Sequence, residues 1–251
     1  MRKISKVFAL VMTGILCKCM VAQSDFLAQQ KKYERVRKAI DDKEHLIEKK
    51  LNSYEIQLNN VHILLVAFKD VARLDLYCRE QHKEVFRLIH SYPVCATSGS
   101  LGPKRKEGDM QVPEGFYFIN RFNPVSNFYL SLGLNYPNAS DKLKSTHPRL
   151  GGDIFIHGSC VTIGCLPMTD DVIKEIYLYA MHAKNNGQER IPVYIFPFEM
   201  TNQNLLKYRD KFRSDAKLLK FWDNLKPGYD VFMQQKKELK LGVTTNGDYS
   251  Y

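Results

Sequence analysis

Within the nine residues from His157 to Cys165 stand an imidazole and two thiols, His157, Cys160 and Cys165. A cysteine acts as a nucleophile through its thiolate, and a neighbouring imidazole is the usual means of forming one near neutral pH. Cys165 is the candidate nucleophile and His157 the candidate general base. The backbone N–H groups of Gly164 and Cys165 could hold the oxyanion of a tetrahedral intermediate. Gly158, Ser159 and Thr162 are candidate supporting or substrate-contacting residues, although Ser and Thr at such places more often serve turns or strands. A histidine near a cysteine is also more often structural than catalytic. Two rival chemistries use the same residues. Zinc could take His157, Cys160 and Cys165, but the spacing is wrong for a paired-cysteine knuckle and Asp153 is the only local fourth ligand. A Cys160–Cys165 disulfide would make the site inert or redox-controlled. No metal and no cofactor is expected, and Cys160 is expected to be a buried neighbour of the nucleophile.

The chemistry needs a frame. Ile154 to Ile156 is a short apolar run that reads as a buried strand ending at His157. Asp170 to Asn185 carries an apolar stripe of Val172, Ile173, Ile176, Tyr177, Ala180 and Met181, and reads as a helix with Gly187 near its stop. A helix start just beyond Cys165 would add positive potential to the thiol. Upstream, Val61–Phe68, Arg73–Cys78 and Val85–Tyr92 read as a β-meander. Leu74, Leu76 and Cys78 alternate with Arg73, Asp75 and Tyr77, which implies one buried and one wetter face. Cys78 is then a core residue. Residues 95 to 115 form a long Gly-, Pro- and charge-rich loop of a kind that is often functional, in which Lys104 to Lys106 could also be no more than a solvated tip. The loop leads into a strand at Phe116–Ile119. Another strand falls at Phe128–Leu132 with irregular flanks, and a closing strand at Pro192–Phe198, which Pro197 ends or confines to an edge.

Residues 24 to 60 repeat apolar residues at near-helical spacing and read as one or two amphipathic helices bracing the rest. Met200 to Lys226 is helical in pattern, Pro227-Gly228 separates a further short helix, and Thr244 to Tyr251 is a polar terminus expected to fray. The N-terminus, with Arg2, Lys3 and Lys6 before an apolar stretch and a cleavage point near Ala22, resembles a secretory signal peptide, with an uncleaved anchor as the alternative. The expected organisation is a signal peptide at 1–22, a helical segment at 23–60, a catalytic domain at 61–198 and a helical extension at 199–251.

The formal net charge is +10, and residues 1–22 supply four positive charges and no acid, which leaves +6 on the rest. A basic surface suits an anionic polymer, and export argues against nucleic acid. Four cysteines outside that segment are too few for a disulfide-built scaffold, so one bridge or none is expected.

The pattern His157-Gly158 followed by Thr162-Ile163-Gly164-Cys165 resembles the active-site signature of the L,D-transpeptidase catalytic domain, also called the YkuD domain. Ile163 stands where that family carries a second His, and Leu166-Pro167 lack the arginine often found after the cysteine. The Ile163 replacement, with a gap between the two pieces shorter than in most of the family, resembles the YafK-like branch of murein L,D-transpeptidases. So do Gly102-Pro103, Glu107-Gly108-Asp109, Pro113-Glu114-Gly115-Phe116-Tyr117, Met168-Thr169-Asp170, Phe196-Pro197-Phe198 and Phe221-Trp222, in order over about 61–230.

The resemblance implies a mainly β domain with flanking helices (α+β), sandwich- or barrel-like, located in the periplasm or cell envelope of a bacterium. It implies that Cys165 attacks the carbonyl of a meso-diaminopimelate residue in a peptidoglycan stem peptide and forms a thioester. The acyl group then passes to an amine, or to water in an amidase or peptidase that trims stems or releases a wall-attached protein. Its implied partners are stem peptides and a wall-linked lipoprotein, with no nucleic acid, and a membrane only if the N-terminal segment stays attached. A non-catalytic wall-binding module is the remaining alternative.

Overall fold

The computed structural model describes residues 23–251, so the expected signal segment lies outside the described residues. Three short helices lead the chain: α1 (Gln23–Gln30), α2 (Glu34–Ala39) and α3 (His45–Asn52), with a π-type turn at Ile40–Glu44 between the last two. Then come β1 (Val61–Phe68), β2 (Arg73–Glu80), β3 (Arg87–Pro93), β4 (Gly115–Ser126), β5 (Tyr129–Leu134), α4 (Ala139–Lys144), β6 (Phe155–His157) and β7 (Leu166–Pro167). The chain ends through α5 (Asp170–Asn185), β8 (Ile191–Phe196), α6 (Asn202–Lys211), α7 (Ala216–Gln235) and a small hairpin of β9 (Gly242–Val243) and β10 (Tyr249–Ser250).

Eight strands form one mixed sheet in the order β3-β2-β1-β8-β4-β5-β6-β7, parallel at β1·β8 and β6·β7 and antiparallel elsewhere. The α+β class and the opening meander are as the sequence implies. The strand at Ile191–Phe196 does not lie at an edge. It pairs with β1 and β4 near the middle of the sheet, and Pro197 follows its last residue.

Both faces of the sheet are covered. Ile63, Leu65 and Ala67 of β1 pack with Ile173, Ile176 and Tyr177 of α5, while Leu64, Val66 and Phe68 pack with Trp222, Leu225, Tyr229 and Phe232 of α7. The alternation in β2 therefore separates two cores, not core from water. Cys78 is buried as expected, but Asp75 and Tyr77 are buried too, and Tyr77 meets Phe232 edge-on. A period-two pattern shows which residues share a face and not what covers it.

Tertiary packing also overrides two local signals, and one local signal went unread. Pro227 lies inside α7, which runs unbroken past it. A proline in a helix interior costs about 3 kcal/mol, and burying Leu225, Tyr229 and Phe232 on consecutive turns offsets it. Gly228 is required there, because a Cβ would run into the Phe116 and Tyr251 rings. The polar terminus is docked: Tyr249 is buried, and its hydroxyl accepts from Asn138 Nδ2 at 2.9 Å. Within the segment read as irregular, Asn138 caps α4 through a reciprocal capping box with Asp141.

Candidate active site

His157 ends β6, and Cys165 immediately precedes β7, its parallel neighbour. The register Ile156↔Leu166 and His157↔Pro167 brings both to this two-stranded end of the sheet. The loop between them folds back on itself. Gly158 N–H donates to Leu130 O at 3.1 Å, and Met168 N–H donates to His157 O at 2.7 Å. Gly158 has no room for a side chain, since a Cβ would lie 2.6 Å from Asp170 Oδ1 and 2.8 Å from Phe128 O. Ser159 takes a left-handed conformation with φ 63°, and its N–H donates to Asp170 Oδ1 at 2.9 Å.

The imidazole is 2% exposed, lies under the Phe128 ring at 4.6 Å between centroids, and sits 2.5 Å from Gly158 O through Nδ1. A carbonyl can only accept, so Nδ1 carries the proton and Nε2 is the basic nitrogen. Burial holds the ring's pKa below the ordinary imidazole value, against the opposing pull of the Gly158 carbonyl.

The Cys165 thiol is half-buried and donates to Asp153 O at 3.6 Å. Burial pushes its pKa up. A Phe155 backbone hydrogen bond and the Lys104 charge pull it down, and the Asp153 carboxylate adds to the rise. Helix α5 does not supply the expected positive potential directly. Pro167 and Met168 intervene, Thr169 caps α5, and Asp170 in its first turn engages the Ser159 N–H instead. Burial thus favours the uncharged form of both groups, and no hydrogen bond joins them.

The N–H groups of Gly164 and Cys165 converge on one point, and Thr162 Oγ1 occupies it, at 3.1 and 2.8 Å. The same hydroxyl donates to Cys165 O at 3.0 Å. Cys160 is exposed, not buried, and is bonded to Cys95 with a Cα–Cα distance of 5.4 Å. This bridge removes the Cys160–Cys165 pairing from consideration and takes one sulfur out of the zinc ligand set.

Cys165 opens into a groove of about 210 Å³ walled by Phe68, Lys69, Val94, Thr97, Ser98 and Leu101. Two carboxylates, one fully buried and one half-buried, fix this wall. Glu114, fully buried, takes Lys69 Nζ and the Gly102 N–H on Oε1 at 3.0 and 2.6 Å, and Trp222 Nε1 on Oε2 at 2.9 Å. Asp109 takes Lys104 Nζ at 2.6 Å and the N–H groups of Arg105, Lys106 and Gln111. Burial raises the Asp109 pKa, but Lys104 and these amides outweigh it and hold the carboxyl low. The basic run is therefore not a solvated tip: Lys104 is buried and Arg105 pairs with Asp141 at 2.9 Å. Lys69, Phe128 and Cys95 carried no local signal for a role here. Glu114 and Asp170 stood within the quoted motifs without one.

The family model of the L,D-transpeptidase catalytic domain matches residues 70–195. "Putative L,D-transpeptidase YafK" of Escherichia coli K12 is 38% identical over 198 residues, 78% of this chain and 76% of that protein, and the protein of the same name in strain O157:H7 gives the same figures. The crystal structure of the helical cell shape determining protein Pgp2 from Campylobacter jejuni overlaps with a TM-score of 0.44 at 18% identity, covering 74% of each chain. The fold around His157 and Cys165, the family match and the length of the YafK alignment lead to one assignment: the chain belongs to the L,D-transpeptidase catalytic domain family and is an enzyme of that kind.

Proposed function

We propose that the enzyme acts on peptidoglycan stem peptides through a thioester on Cys165, with His157 as general base. The observation that carries this reading is the 2.5 Å contact of His157 Nδ1 with the Gly158 carbonyl, which sets the tautomer. Its Nδ1–H is committed to Gly158 O, so the free Nε2 faces the task of taking a proton. The thiol leaves Asp153 O when substrate enters the groove, passes its proton to Nε2, and Cys165 Sγ attacks the carbonyl of the meso-diaminopimelate residue. The carbonyl oxygen takes over the Gly164 and Cys165 N–H groups that Thr162 Oγ1 holds at rest. The imidazolium returns the proton to the leaving amine as the C–N bond breaks, leaving the thioester. An acceptor amine then gives transpeptidation, and water gives hydrolysis.

Gly158 and Ser159 support the base in this reading by forming the turn that presents the carbonyl. The substrate class, a bacterial envelope location and the division into segments at 60/61 and 198/199 belong to the same proposal, with a wall-linked lipoprotein as one acyl acceptor. Intact-mass analysis after incubation with stem-peptide muropeptides tests it. The expected result is an acyl adduct that Cys165→Ala lacks and an amine product released in equal amount. Product formation by Cys165→Ala at the wild-type rate overturns it, and the ratio of cross-linked to hydrolysed product assigns the fork.

A further inference from the structure

The loop that joins β4 to β5 reaches over the base, and a residue from far outside the family match holds it there. Phe128 lies at the hairpin tip between Ser126 and Tyr129, which pair across the turn. The turn is demanding: Tyr129 is left-handed with φ 69°, and Phe128 N–H donates to Ser126 Oγ at 3.1 Å. Arg35, on α2, donates through Nη1 to Ser126 O at 2.5 Å and to Tyr129 O at 2.7 Å, clamping the carbonyls on either side of Phe128. Its guanidinium also sits 5.6 Å from the centre of the Tyr129 ring. The clamped tip touches both the base and the glycine that follows it. The Phe128 ring lies over the imidazole, and Phe128 O abuts Gly158, whose own carbonyl receives Nδ1–H.

We propose that Arg35 is a positioning residue for the reaction: by pinning the β4–β5 tip it keeps Phe128 on His157, holding the ring dry and fixed in orientation. The inference rests on the reading of His157 as the base. A side chain on the N-terminal helical segment thereby takes part in setting the base, a role beyond bracing. Charge-assisted hydrogen bonds to two carbonyls suit the task, because they fix a backbone of strained conformation without placing a charge beside the ring. The ionisable groups on the elements packed round His157 are Cys165 beside β7, Asp170 and Lys174 on α5, and Tyr129 on β5. Among the described residues, none of these makes a hydrogen bond to the ring.

The test follows the rate of Cys165 acylation by stem-peptide muropeptides against pH in the full chain, for wild type, Arg35→Ala, Arg35→Lys and Phe128→Ala. Freed from Phe128, the imidazole regains water and holds its proton to higher pH, so the acid limb moves up. Arg35→Ala and Phe128→Ala should both lose rate on the acid side, with the deficit shrinking toward the alkaline plateau, since a raised pKa lowers the neutral fraction most at and below it. Arg35→Lys, which can still donate to the carbonyls, should recover most of the loss, and the Arg35/Phe128 double variant should lose no more than Phe128→Ala. An Arg35→Ala profile with the wild-type shape, whether or not scaled down uniformly, overturns the proposal. His157→Gln separates the two readings: if it leaves the acid limb in place, the base assignment fails, and if it removes the limb while Arg35→Ala does not shift it, only the role of Arg35 fails.

Discussion

At the scale of single residues, His157 and Cys165 are both shifted by burial toward their uncharged forms, His157 downward and Cys165 upward. A preformed thiolate–imidazolium pair would need the opposite shifts. The proton therefore moves during attack, and the rate depends on the neutral fraction of His157. That fraction falls as pH drops through the folded-state pKa, which lies below the ordinary value of about 6.5. The expected acylation profile has its acid midpoint under that value and a plateau above it, since the raised thiol contributes little thiolate until strongly alkaline pH. A midpoint above the ordinary value in a pH series of single-turnover rates would count against the neutral-pair account. Thr162 provides a second residue-scale prediction. Its hydroxyl joins three backbone groups of the turn at the nucleophile, and unmaking such bonds costs about 1 kcal/mol each. Thr162→Ala should lower the melting temperature slightly, and because the hydroxyl yields the Gly164 and Cys165 N–H groups to the oxyanion, acylation slows only as far as the turn aiming those groups loosens, by about tenfold or less. Thr162→Ser, which keeps the oxygen, should stay within about threefold of wild type.

At the scale of elements, the site is a joint between loops, and the Cys95–Cys160 bond is the tie. Cys95 begins the 95–114 loop that walls the groove, and its N–H donates to Pro167 O at 3.0 Å; Cys160 sits midway between His157 and Cys165. The bond closes 65 residues of chain, and removing a bridge of that kind costs about 2–4 kcal/mol. The Cys95→Ser/Cys160→Ser protein should unfold at lower denaturant and lose acylation rate before it loses secondary structure, as read by circular dichroism alongside single-turnover mass analysis. Equal loss of both signals would assign the bridge to global stability alone. This tie also marks where the sequence stopped being informative. Helix α5 was readable to its limits at Asp170 and Asn185, and β1 at Val61 and Phe68, because each rests on a periodic apolar pattern within one segment. His157-Gly158 and Gly164-Cys165 were legible through their motif. The partner of Cys160 lies 65 positions away, Arg105 pairs with Asp141 36 positions away, and the packing that holds Pro227 inside α7 is likewise set by contacts that no local window contains. Arg35 and Phe128 are 93 positions apart and meet through the hairpin's backbone, so no pairing of side-chain types betrays them.

At the scale of the whole molecule, the question is whether the segment beyond residue 195, where the family match ends, is an attachment or half of the fold. Trp222 decides it. It is fully buried against Phe198, Phe212 and Tyr208, and its indole N–H donates to Glu114, the carboxylate that also holds Lys69 and the loop walling the Cys165 groove. Helix α7 covers the face of β1, β8 and β4 made by Leu64, Val66, Phe68, Phe116, Tyr194 and Phe196. Exposing six such side chains would forfeit about 1.5–3 kcal/mol each, more than the whole stability of an ordinary domain, about 5–15 kcal/mol, can comfortably spare. The helical extension and the sheet should therefore unfold together. Because Trp222 is the sole tryptophan, its fluorescence reports this interface in the unmodified chain. Guanidinium unfolding followed by that fluorescence should coincide with the transition seen by far-ultraviolet circular dichroism, with the same midpoint and slope. A fluorescence transition at distinctly lower denaturant, with the circular dichroism of the sheet and the acylation of Cys165 surviving it, would show that α6 and α7 dock on an independently stable domain. Coincidence would make the groove wall, through Glu114, as stable as the molecule's second core.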